Sequence, residues 1–101
     1  MTNKQIVLNF IKAVEANDKG RILSFFNEDA FYHNIPLEPC VGLDEIWTEL
    51  AQVHDIATDV DWIVHNIAEG EDGKVYTERT DRYYLNGKWA EFRVMGIFEL
   101  K

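Results

Sequence analysis

Asn86-Gly87 lies between two long extended runs, 74–85 and 88–100. In that setting an Asn-Gly pair is the strongest short-range signal for a tight β-hairpin, because both central positions of the turn need positive φ. A third extended run, 59–68, precedes these two across Glu71-Asp72-Gly73, so the C-terminal half reads as a meander of three antiparallel strands. Such a sheet must bury one face, and the N-terminal half supplies the cover. Residues 3–17 repeat Ile6, Val7, Phe10, Ile11 and Val14 at helical spacing, with Thr2 and Gln5 placed to form a capping box. A second, short helix runs through Ile22, Leu23, Phe25 and Phe26, between Asn17-Asp18-Lys19-Gly20 and Asn27-Glu28-Asp29. A third, 43–54, carries Ile46, Trp47, Leu50 and Val53 on one stripe, with Asp44 and Glu45 in the first turn where the helix dipole favours anions. Residues 30–33 read as a short strand, and Pro36 and Pro39 keep the stretch after it irregular. The fold class is α+β: a single domain, 1–101, with helices packed on one face of a curved antiparallel sheet.

The concave face of that sheet is the natural place for a ligand cavity. Pocket and core must share the same apolar residues, because a chain of 101 residues builds only a modest core. A net charge of −8 excludes unassisted binding to nucleic acid or to anionic membrane, both of which need a positive footprint. No apolar run has the length of a membrane span, and the lone Cys40 fits a reducing compartment, so the expected location is cytoplasmic. Cys40 itself reads as a small apolar residue.

Two polar clusters stand out in apolar surroundings: Tyr32-His33-Asn34 running into Ile35-Pro36, and Arg79-Thr80-Asp81 inside the middle strand. Arg79 and Asp81, two apart in an extended segment, share one face at about 6.5–7 Å along the strand. Periodicity leaves open which face that is, since both alternating sets of the strand mix polar and apolar residues. An exposed strand with cross-strand ion pairs explains the segment equally well by itself. Tyr32 and Asn34 are also two apart and can hold one water or one substrate oxygen, although Asn before Ile-Pro is commonly a turn residue. His33, His54 and His65 lack metal-site spacing, and Trp47, Trp62 and Trp89 read as core or interface residues.

Taken together, Tyr32-His33-Asn34-Ile35-Pro36-Leu37, Val75-Tyr76-Thr77-Glu78-Arg79-Thr80-Asp81, Gly87-Lys88 and Val94-Met95-Gly96-Ile97-Phe98 resemble the limonene-1,2-epoxide hydrolase family. That family belongs to the cone-shaped fold shared with nuclear transport factor 2, ketosteroid isomerase and SnoaL-like proteins. The resemblance implies that Tyr32 and Asn34 hold a water in line with an epoxide carbon and that Asp81 donates a proton to the epoxide oxygen. Arg79 then bridges Asp81 to a second aspartate that acts as the base. Leu37, Tyr83, Phe92, Val94 and Trp62 map to the pocket wall. The implied ligand is a small hydrophobic epoxide, hydrolysed to a vicinal diol with no metal or organic cofactor, and the implied assembly is a homodimer.

In the family the second aspartate belongs to a final strand, and this sequence stops at Lys101 before it. With Arg79 as its single charged neighbour, Asp81 is expected to sit as an ion pair, its pKa pulled below the ordinary carboxylate range. That predicts a poor epoxide hydrolase. It also leaves 88–100 as a partly apolar sheet edge, open to pairing with another chain. Two other readings use the same cone. A ketosteroid isomerase-like or polyketide cyclase-like enzyme needs a base that removes a carbon-bound proton, where this chain places Asn34. The other is a non-catalytic small-molecule-binding module.

Overall fold

The computed structural model describes residues 2–28, 30–32 and 39–100, with Phe31 described in its backbone alone. The element order is α1 (Asn3–Glu15), α2 (Lys19–Ser24), β1 (Phe31–Tyr32), β2 (Cys40–Val41), α3 (Leu43–His54), β3 (Asp59–Glu69), β4 (Val75–Leu85) and β5 (Lys88–Phe98). The expected α+β architecture, helices on one face of an antiparallel sheet, is present.

The capping box forms: the Gln5 amide donates to Thr2 Oγ1 at 3.1 Å, and Gln5 Oε1 accepts from the Thr2 amide at 2.9 Å. Helix α1 stops at Glu15, two residues before its expected end. Asn17 takes φ 52 there, and its side-chain amide donates to the His54 carbonyl at 2.7 Å. A turn residue thus ties the end of α1 to the end of α3. Helix α2 is shorter than expected, because Asp18 caps it and Phe25 already closes it.

Strands β3, β4 and β5 form one antiparallel sheet with β4 in the centre, and β1 pairs with β2 separately. Asn86 and Gly87 take φ 50 and 81, as the two-residue turn requires, so the pairing of Leu85 with Lys88 sets the register of β4 against β5. A register shift between Val64 and Asn66 bends β3 at His65. The apolar stripe of α1 covers the concave face. Phe10 is its hub, with ring centroids 5.5–6.3 Å from Phe25, Phe26, Trp62 and Phe98 in edge-to-face contact. Val14, Ile22, Ile46 and Val75 are closed to solvent around it.

Candidate active site

Burial settles what periodicity left open. Along β4 every second residue is buried, namely Val75, Thr77, Arg79, Asp81 and Tyr83, and the alternating set is not. A strand of period two under a helical layer has one dry face. Arg79 and Asp81 are on it, each 6% exposed.

There they form a bidentate pair. Arg79 Nε donates to Asp81 Oδ1 at 3.0 Å and Nη2 to Oδ2 at 3.1 Å, the parallel geometry that matches a guanidinium to a carboxylate. Nη1 donates to Thr77 Oγ1 at 3.0 Å. The guanidinium carbon lies 4.3 Å from the Trp62 ring centroid and 5.7 Å from that of Phe98, so the buried cation meets π-systems rather than bulk water. Trp62 is therefore both a core residue and the platform under the cation.

Gly96 makes this packing feasible. Paired with Thr77 across the sheet, it leaves the space that Arg79 Nη1 fills; a Cβ there would lie 2.7 Å from Nη1 and 3.1 Å from Thr77 Oγ1. Sequence reasoning did not give Thr77, Gly96 or Phe98 a role in the site. The signal for Thr77 was the same period of two that joined Arg79 to Asp81.

The expected ion pair is present, but the expected shift in acidity is reversed. Burial pushes the Asp81 carboxyl above its ordinary value, and the Arg79 hydrogen bond and charge recover only part of that. Two residues further along the same face, Tyr83 Oη accepts from Trp62 Nε1 at 3.0 Å. Burial pushes the Tyr83 phenol up to about 12; the Trp62 hydrogen bond opposes the shift, and the Asp81 and Tyr32 groups add to it. Tyr32 is half-buried, its ring 6.4 Å from Phe26, and its electrostatic effect on Tyr83 associates it with this face.

Behind Tyr83, His54 is 3% exposed with its ring in edge-to-face contact at 5.5 Å. His54 Nδ1 lies 3.0 Å from Asn17 Oδ1, which fixes Nδ1 as the donor. Burial holds the imidazole below its ordinary value.

Of the other expected wall residues, Val94 is half-buried opposite Arg79, while Phe92, opposite Asp81, is 51% exposed. Phe92 thus forms a rim rather than a closed wall, its ring 6.2 Å from that of Tyr83. Asn34 and Leu37 lie outside the described residues. Among the described residues the pair, Trp62, Tyr83 and the α1 stripe line the concave face. A depression of about 460 Å³ occurs elsewhere, lined by Glu28, Val41, Gly42, Leu43, Asp44 and Glu45.

The sequence profile of the SnoaL-like domain matches residues 7–101. The chain belongs to the SnoaL-like family. Solved structures agree on the fold of this SnoaL-like chain. It is similar, at 23% identity and TM-score 0.83, to an LEH-like epoxide hydrolase of M. tuberculosis, over 98% of this chain and 73% of that one. It is also similar to a putative SnoaL-like polyketide cyclase of Shewanella denitrificans, at 17% identity and TM-score 0.72, over 94% and 75%. TerC, co-crystallised with polyporic acid, matches at 19% identity and TM-score 0.77, over 98% and 82%. At these identities the likeness establishes the fold, an α+β cone of the nuclear transport factor 2 type, and leaves chemistry to the residues.

Proposed function

We propose that this SnoaL-like chain takes a small hydrophobic epoxide on its concave face and adds water to it, with Asp81 as the proton donor. The observation that carries this reading is the bidentate Arg79–Asp81 pair, buried on the dry face of the central strand under Trp62. A general acid for an epoxide oxygen must keep a proton near neutral pH, and burial moves Asp81 in that direction. Each Asp81 oxygen retains a lone pair that Arg79 does not occupy, the position open to such a proton. In the reaction, the water oxygen forms the new bond to an epoxide carbon as the carbon–oxygen bond breaks. The epoxide oxygen takes the proton of Asp81, and the proton lost by the attacking water passes to solvent water, since among the described residues Arg79 holds no second carboxylate to take it. Tyr32 and Asn34 are assigned to hold that water.

Among the described residues Arg79 hydrogen-bonds one carboxylate, Asp81. The 101-residue chain is therefore expected to bind an epoxide but hydrolyse it slowly. Incubation with limonene 1,2-epoxide and quantification of the diol tests this. Turnover should fall below that of the M. tuberculosis relative by about 10²–10⁴-fold, the contribution of a positioned acid or base, and Asp81→Asn should abolish the remainder. Diol formation undiminished in Asp81→Asn overturns the assignment. A homodimer is proposed as well, on the strength of Met95 and Ile97, 76% and 68% exposed on the outer face of β5.

A further inference from the structure

Tyr83 carries a hydrogen-bonding capacity that the scheme above does not use. Its oxygen already accepts from the Trp62 indole, and the distance of 3.0 Å in a buried setting leaves the acceptor side engaged. The phenol proton has no acceptor among the described residues. Its polar neighbours are groups of the site itself, Asp81 two residues earlier on the same face, Arg79 and Tyr32, together with His54, whose ring lies edge-to-face at 5.5 Å and makes no hydrogen bond to the phenol among the described residues. Buried donors are almost always paired, so an unused one beside a binding face marks the position of a ligand acceptor.

We propose that Tyr83 is a specificity-determining residue, which donates its phenol hydrogen to a second oxygen of the ligand, distinct from the epoxide oxygen addressed by Asp81. The ligand class is then an epoxide bearing an ether, carbonyl or hydroxyl oxygen a few bonds from the ring, rather than a pure hydrocarbon epoxide. The inference rests on the concave face being an epoxide site. The phenol stays protonated up to about 12 and so remains a donor over the working range of pH. The Trp62 hydrogen bond orients the oxygen, as an incoming donor does in a buried network. A site with a built donor discriminates against the analogue that cannot fill it, since the donor is then left unpaired.

The test compares two probes of the same length: 1,2-epoxyheptane and 1,2-epoxy-3-propoxypropane, in which one methylene is replaced by oxygen. Calorimetric binding to the full chain is measured, so the result does not depend on turnover. The ether should bind about fivefold tighter, the effect of one neutral hydrogen bond, and Tyr83→Phe should bring the ratio to one. Trp62→Phe retains the phenol and should keep a preference for the ether. Equal binding of the two probes by the unaltered protein overturns the proposal and leaves the epoxide site standing. Loss of the preference in both variants also overturns it, because packing rather than the phenol then carries the effect. Binding of neither probe removes the epoxide site and this inference with it.

Discussion

The two faces of β4 carry the same chemistry under opposite conditions. On the concave face Arg79 grips Asp81 with both partners nearly closed to solvent, side chains 8% and 9% exposed. On the convex face Arg82 lies 3.5 Å from Asp61 and 2.9 Å from Glu91, and Arg93 lies 3.0 Å from Glu78, all with a quarter or more of each side chain in water. Arg82 also stacks on an aromatic ring, 4.2 Å from Trp89, much as Arg79 stacks on Trp62. Contact geometry alone does not separate the two faces. Water does: it screens and replaces the convex pairs, while among the described residues the concave pair has only itself, Thr77 and two aromatic rings. The convex pairs pin strands together, whereas the concave pair is a charged feature kept dry, the usual mark of function rather than stability.

Substitution of one guanidinium on each face gives the largest contrast. Arg79→Met leaves Asp81 buried without its partner and should cost about 3–5 kcal/mol in urea unfolding, against about 1 kcal/mol or less for Arg82→Met. Equal losses would break the comparison. Gly96→Ala comes next: with a Cβ 2.7 Å from Arg79 Nη1 it should cost about 1–3 kcal/mol by overpacking, while Met95→Ala, next to it on the exposed face, should stay within about 0.5 kcal/mol.

Titration sharpens the same contrast. The phenol of Tyr83 is raised from 10 to about 12 in the fold, so the neutral form is favoured there. The associated stability is fully present below pH 10 and is lost as pH rises from 10 towards about 12. Unfolding curves of the parent and Tyr83→Phe should differ in slope over that window and run parallel between pH 7 and 9. His54 works in the opposite sense. Its imidazole is held below the ordinary 6.5, so its contribution is present above that value and declines as pH falls below it. The smallest effect belongs to Glu78 on the convex face. Any loss on Glu78→Gln at low salt should vanish in about 1 M NaCl, where the screening length is short, while the Arg79→Met loss should persist.

Much of the framework was legible because local rules decide it. The Asn86-Gly87 turn, the Thr2–Gln5 cap and the limits of α3 depend on residues within a few positions of one another. Helix ends set by distant partners were less legible. Helix α1 stops early where Asn17 bonds His54, 37 positions away, and no local signal announces that pair. In the candidate site, the sharing of one face by Arg79 and Asp81 followed from strand period. Their acidity did not, because the sequence displays the neighbouring charge and hides the burial that outweighs it. Gly96 was visible only as a strand glycine, since its purpose is the space a side chain from the adjoining strand occupies.

By itself, the sequence determined the order and type of every element except the short β2, which only its pairing with β1 reveals, and put Arg79 in step with Asp81, since pleat and helical periodicity are properties of the chain alone. The tertiary structure decided which side of β4 would be dry. That choice depends on where α1 lands, and the loss of water there turns an ordinary pair of charges into a candidate proton donor and its holder.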